Sequence, residues 1–189
     1  MSRLPLHREI GWIFGYGSLL WRPDFPHLQQ RAGFVRGWAR RYWQGSTDHR
    51  GIPGAPGRVV TLVRAASEQR CWGIAFRVAP EAWESAIETL DHRERGGFAR
   101  VEVRVEFRDP SEPAVRALVY VADERNPNFA GPASEAEIAA QIRDARGPSG
   151  SNAAYALRLA AALREIDADD EHVFAVADLL GAPPPRRAR

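Results

Sequence analysis

The chain has 189 residues, 44% of them hydrophobic and 26% charged, with a single cysteine, Cys71. Length and balance suit one domain with one well-buried core and exclude a chain disordered along its length. A formal charge of +2 accompanies a pI near 9.1, and the arginines that alternate along presumed strands (Arg36, Arg40, Arg100, Arg104) have the pattern of a solvated sheet face, with no clear nucleic-acid footprint. One cysteine excludes an internal disulfide and a cysteine zinc site; Cys71 lies in an apolar run, residues 71–76, and is expected to be a buried, inert thiol. No segment approaches the roughly 18 apolar residues needed to cross a bilayer. Residues 1–9 have mixed charge and no apolar stretch, so no secretory leader and a cytoplasmic protein are expected.

Trp12, Ile13 and Phe14 run into Gly15-Tyr16-Gly17-Ser18 and out to Leu19-Leu20-Trp21, which reads as a buried strand feeding a tight loop. Two glycines around one aromatic permit φ > 0 and close approach of a ligand to the main chain. Successive N–H groups in such a turn suit an anion, either a substrate carboxylate or a developing oxyanion. On pattern alone an ordinary strand-end turn is the commoner meaning, and a nucleotide loop is excluded by the missing Gly-Lys-Ser/Thr ending and third glycine. Residues 21–26, with Pro23 and Pro26, form a structured connection. Residues 33–44 alternate bulky and polar side chains and predict one long strand; 45–57 are turn formers, a loop of a length usually functional or disordered. Residues 58–64 and 71–78 predict two strands joined as a hairpin through 65–69.

Pro80 opens a helix to residue 90, and Gly96-Gly97 supplies a left-handed stop after Asp91-His92-Arg93-Glu94-Arg95. In 98–107, Val101, Val103, Val105 and Phe107 take one face and Arg100, Glu102, Arg104 and Glu106 the other, a strand with one buried side. Residues 109–113 turn, and 114–122 form a central strand. Ser134 with Glu137 makes a capping box for a helix to about 145; 147–151 break it; 152–166 form a second helix; Asp169 or Asp170 caps a third, to 180. Residues 181–189 are expected to fray. Strands first and helices later give an α+β fold: a single domain over 1–189, core about 11–180, built as a small mixed, closed or nearly closed β-barrel of about six strands with flanking helices.

An enzyme with no cysteine nucleophile, metal cluster or cofactor loop relies on acids, bases or hydroxyls. His7, His27, His49, His92 and His172 have no metal-ligand spacing and each reads as a surface or capping residue. Ser18, His49 and Asp48 could be drawn as a triad, though nothing in the sequence brings them together. Glu94, at a helix end beside the Gly-Gly hinge, can swing toward a pocket, while charge pattern alone pairs it with Arg93 or Arg95 at the surface. Tyr120 either packs in the core or places its hydroxyl in a barrel mouth.

Five blocks taken in order resemble the ChaC family of glutathione-specific γ-glutamylcyclotransferases: Phe14-Gly15-Tyr16-Gly17-Ser18-Leu19, residues 41–51 (Arg-Tyr-Trp-Gln-Gly-Ser-Thr-Asp-His-Arg-Gly), residues 56–62, residues 90–98, and Gly147-Pro148-Ser149-Gly150. The resemblance runs from about residue 11 to 180. It implies cleavage of the γ-glutamyl amide of glutathione into 5-oxoproline and cysteinylglycine, with no metal or cofactor. Carried over residue by residue, it makes Glu94 the catalytic acid/base and places the γ-glutamyl group against Ile13, Phe14, Gly15, Tyr16, Gly17, Ser18 and Leu19, with Tyr120 in the pocket. Family members often carry Tyr where this chain has Phe98 and Lys where it has Arg95. Such a mechanism needs Glu94 in a partly desolvated mouth, a rise in pKa that Arg93 and Arg95 would oppose if turned inward; both are expected to point away. The rival expectations are a cyclotransferase for other γ-glutamyl peptides or amines, a binding module without turnover, and a basic RNA-binding domain. Arginines interleaved with exposed aromatics would mark the last, and the aromatics fall mainly inside strands. Glutathione as small-molecule substrate, with no nucleic acid, membrane or obligatory protein partner, is the expectation.

Overall fold

The computed structural model describes residues 11–94 and 96–181. The expected absence of a leader, His7, the direction of Arg95 and all but the first residue of the expected frayed tail lie outside those residues.

Five strands close a barrel in the order β1 (Trp12–Gly15), β5 (Arg70–Arg77), β2 (Gln29–Arg36), β6 (Ala99–Phe107), β7 (Val115–Val121). Neighbours run antiparallel except at the seam, where β1 meets β7 in parallel through Ile13 and Leu118. The fold is therefore α+β with a mixed closed barrel. β3 (Trp38–Ser46) and β4 (Gly57–Arg64) form a separate antiparallel pair, with β3 against β5 and α4 (Glu171–Gly181), and β4 against α2 (Glu135–Asp144) and α3 (Asn152–Glu165). A short hairpin, β8 (Arg146–Gly147) with β9 (Gly150–Ser151), joins α2 to α3.

The strand expected over 33–44 is two strands. Gly37, at φ +72°, turns the chain between them, a conformation that costs a side-chain-bearing residue but not glycine. The expected hairpin of 58–64 with 71–78 also does not form. β4 pairs with β3, β5 joins the barrel, and the crossing is held by Gly37 N–H on the Gln69 carbonyl and Ala65 N–H on the Gly37 carbonyl. Two adjacent β-rich runs are thus separated by long-range pairing that local patterning cannot register.

Both faces of β1 are covered. Ile13 packs with Phe76, Ile87, Leu90 and Leu118 beneath α1 (Trp83–Arg93), while Phe14 packs with Phe34, Trp72 and Val105. Successive strand side chains point to opposite faces, so an uninterrupted apolar run is what a strand covered on both sides needs. β6 follows the expected alternation, with Val103, Val105 and Phe107 buried and Arg100, Glu102 and Arg104 exposed. Pro80 begins a single 3₁₀ turn, 80–82, that leads into α1. The capping box of α2 forms as expected: Ser134 Oγ accepts from Glu137 N–H, and the Glu137 carboxylate accepts from Ser134 N–H. α2, α3 and α4 contribute Ile138, Ile142, Leu159, Leu163, Val173 and Val176 to the main core.

Arg40 departs from the solvated face expected of it. Its side chain is 0% exposed, Nη1 donates to Asp170 Oδ2 at 2.7 Å, and Nη2 donates to the Trp72 carbonyl. The other oxygen of Asp170 accepts from Val173 N–H at 3.0 Å, so one carboxylate caps α4 and neutralises the buried arginine. Cys71 is buried and unpaired as expected, its thiol pushed up to about 11 chiefly by burial.

Candidate active site

A cavity of about 450 Å³ opens where the end of β1, the end of α1, β3, the 46–50 segment and α3 converge. After β1, residues 18–20 make one 3₁₀ turn whose bonds engage the N–H groups of Leu20, Trp21 and Arg22. The N–H groups of the preceding three residues have no acceptor within that turn, as at any helix start. Gly15 and Gly17 do not take the positive φ expected of them; close approach demands glycine at Gly15 and is only snug at Gly17. A Cβ on Gly15 would lie 2.7 Å from Leu19 Cβ, and one on Gly17 would lie 3.3 Å from Val60 and 3.5 Å from the Tyr155 hydroxyl.

Phe14, Tyr16, Gly17, Ser18, Leu19, Glu94 and Tyr120 all line the cavity. Ile13 and Gly15 stand behind it, Ile13 fully buried under α1 and Gly15 against Leu19 and Phe76. Tyr16 donates its hydroxyl to the Tyr120 carbonyl at 2.8 Å. Tyr120 donates its own to Asp91 Oδ1 at 2.7 Å, so toward the cavity it offers its ring and oxygen lone pairs.

Glu94 is the residue that ends α1, its N–H still bonded to the Leu90 carbonyl at 2.8 Å. The turn behind it is fixed by Gly97 at φ +89°, as the Gly-Gly stop predicts. Asn126 holds that turn: Nδ2 donates to the Gly96 carbonyl at 2.6 Å, and Oδ1 accepts from Gln44 Nε2 at 3.1 Å and Asn128 N–H at 2.8 Å. Burial pushes the Glu94 carboxyl from 4.5 up to about 7; Arg93 opposes the rise and Asp48 adds to it. A carboxyl in that range can both accept and return a proton at neutral pH.

Arg93 does not point away. Its Nη2 donates to Ser18 Oγ at 2.7 Å, Nη1 donates to the Arg22 carbonyl at 2.8 Å and Asp24 Oδ2 at 2.9 Å, and Nε lies 3.9 Å from Glu94 Oε1. Helical geometry explains this: the last turn of α1 packs beside the 18–24 segment, and Asp24 and the Arg22 carbonyl draw the guanidinium inward. Ser18, His49 and Asp48 do meet at this cavity. Their bonds are not those of a triad, since Ser18 Oγ is engaged by Arg93 and His49 Nδ1 faces Ser149 Oγ at 3.3 Å.

Sequence reasoning missed Asn126, Tyr155 and the inward turn of Arg93. Asn126-Pro127-Asn128 carries only a turn signal, and Tyr155 falls on the buried face of a helix; neither pattern points to residues 30 to 100 positions away.

A family model described as ChaC-like protein matches residues 11–182. The chain belongs to the ChaC-like family. Among relatives of this ChaC-like chain, glutathione-specific γ-glutamylcyclotransferase 1 of Homo sapiens is 47% identical over 175 residues, covering 90% of this chain and 78% of the relative. A glutathione-specific γ-glutamylcyclotransferase of Schizosaccharomyces pombe is 36% identical over 180 residues, covering 86% and 88%. A crystal structure of a glutathione-specific γ-glutamyl cyclotransferase from yeast superposes with a TM-score of 0.83 at 27% identity, over 90% of this chain and 95% of that one. At 14% identity another γ-glutamyl cyclotransferase gives a TM-score of 0.54, a likeness of ChaC-like fold alone.

Proposed function

We propose that this chain is a γ-glutamylcyclotransferase that acts on glutathione and releases 5-oxoproline and cysteinylglycine. The observation that carries the reading is Glu94: a desolvated carboxyl, raised to about 7, on the wall of a cavity bounded by the 17–19 loop, in a chain 47% identical to a relative named for this activity.

The reaction needs no outside nucleophile. The α-amino nitrogen of the γ-glutamyl group attacks its own γ-carbonyl carbon, closing a five-membered ring, and the bond from that carbon to the cysteinyl nitrogen breaks. Holding the substrate folded is most of the work, because a well-oriented intramolecular attack is worth on the order of 10⁵ M or more in effective molarity. Glu94 takes the proton that the attacking nitrogen must lose and returns it to the departing nitrogen. The N–H groups of residues 17–19 hold an anionic oxygen of the γ-glutamyl group. Phe14, Tyr16 and Tyr120 shape the wall against which it folds, and Ile13 and Gly15 support the loop from behind. Arg93 anchors Ser18 and keeps the Glu94 pKa from rising further.

Incubation of the purified protein with glutathione tests this. Equimolar 5-oxoproline and cysteinylglycine are expected; release of free glutamate, or no turnover, overturns the reading.

A further inference from the structure

We infer that Arg50 is the specificity-determining residue that binds the carboxylate at the far end of the substrate, the glycine carboxylate of the departing cysteinylglycine. The inference deepens the proposed function and rests on it.

The arginines of the cavity differ in what they are tied to. Arg22 pairs with Asp24 at 2.9 Å, and Arg93 pairs with the same carboxylate at 2.9 Å. Arg50 has no carboxylate partner among the described residues. Its Nη1 donates to the Ser149 carbonyl at 2.7 Å and the Ser151 carbonyl at 3.3 Å, and its guanidinium lies 5.5 Å from the Tyr155 ring centre. The backbone is held as well, Arg50 N–H donating to Ser46 Oγ at 2.9 Å.

Both carbonyls take the same terminal nitrogen. Nε and Nη2, the edge that grips a carboxylate through two parallel bonds, have no partner among the described residues. Fixing one terminal nitrogen pre-orients that edge, so little rotamer freedom is lost when an anion arrives. Burial lowers the Arg50 pKa, a sign that its charge is partly stripped of water. Such a group gains more from an incoming anion than a solvated arginine does.

Glutathione brings two carboxylates. The one on the γ-glutamyl group must lie beside the reacting atoms, near Glu94 and the 17–19 loop, where Arg93 already has a carboxylate partner in Asp24. The other lies two residues of chain beyond the scissile bond, about 7 Å when extended. Tyr155, whose ring lies 5.5 Å from the Arg50 guanidinium, lines the same cavity as Glu94 and Arg50. One cavity of about 450 Å³ thus carries the proton shuttle and a cation that has no carboxylate partner among the described residues. The sequence blocks 41–51 and 147–150 meet in the Arg50–Ser149 contact.

The test compares glutathione with glutathione esterified at its glycine carboxylate, for the wild type and for Arg50→Gln, by 5-oxoproline release. Losing a hydrogen-bonded charge pair predicts a fall in kcat/KM of about 10- to 100-fold. That fall is expected for the wild type on the ester and for Arg50→Gln on glutathione, with no further fall for Arg50→Gln on the ester. Arg50→Lys should recover part of the glutathione activity. Equal wild-type rates on the two substrates, or an Arg50→Gln loss that is the same on both, overturns the inference. The wild-type arm stands even if the variant does not fold. Absence of 5-oxoproline from glutathione with the wild type would instead remove the proposed function.

Discussion

At Glu94 two opposing effects meet, and burial wins. Arg93 is close enough to depress the carboxyl, yet desolvation carries it to about 7. The ionised form is needed to take the proton, so kcat/KM should rise with pH through a limb near 7. Arg93→Gln removes the opposing charge, and the limb should move to higher pH; an unmoved limb would show that Arg93 does not act on Glu94. The same shift has a consequence for stability. The folded protein holds the Glu94 proton to higher pH than the unfolded chain does, so stability contributed below about 4.5 is lost as pH rises through 7. Relative to Glu94→Gln, the wild type should lose up to about 3 kcal/mol of unfolding free energy on that rise, read from denaturant titrations at each pH. Much of the residue-level site was legible, because Glu94 precedes a Gly-Gly stop and Gly15 to Leu19 follow a strand. The inward direction of Arg93 was not, since Asp24 and the Arg22 carbonyl that attract it are about 70 residues away in sequence.

Individual elements were most legible where the signal is local. The alternation in β6, the Ser134–Glu137 box and the Gly97 stop depend on neighbours a few residues apart, and each forms as read. The split of 33–44 at Gly37, and the separation of β4 from β5, depend on strand partners that patterning does not identify. Arg40 failed for the same reason: alternation gives a face, and only the arrival of α4 decides that this face is dry. Asp170→Ala should therefore cost about 3–5 kcal/mol, the expected penalty for leaving a buried charge without its partner. The measurement is the denaturant midpoint, with Asp178→Ala as comparison. Asp178 lies 3.9 Å from Arg164 with both side chains well exposed, and its loss should cost about 0.5 kcal/mol or less. Equal midpoints for the two variants would contradict the assignment of Asp170 as the clasp between β3 and α4.

Taken as a whole, the molecule puts a short, fully covered strand at the seam of a closed barrel and lets the chain leave that seam directly into the cavity. α1 packs outside the same seam through Ile87 and Leu90, which brings its last residues to the rim. The 17–19 loop and the Glu94 carboxyl are thus placed by one core cluster. The fold class and the family were legible because five blocks spread over the chain keep their order; the number of strands in the barrel was not, because closure is a property of pairing between distant segments. The central claim, that Glu94 carries the proton in an intramolecular cyclisation, is tested most directly by the rate of 5-oxoproline release from glutathione by folded Glu94→Gln protein. A fall of about 10²-fold or more at an unchanged circular dichroism spectrum is predicted. Release at the wild-type rate would contradict the account.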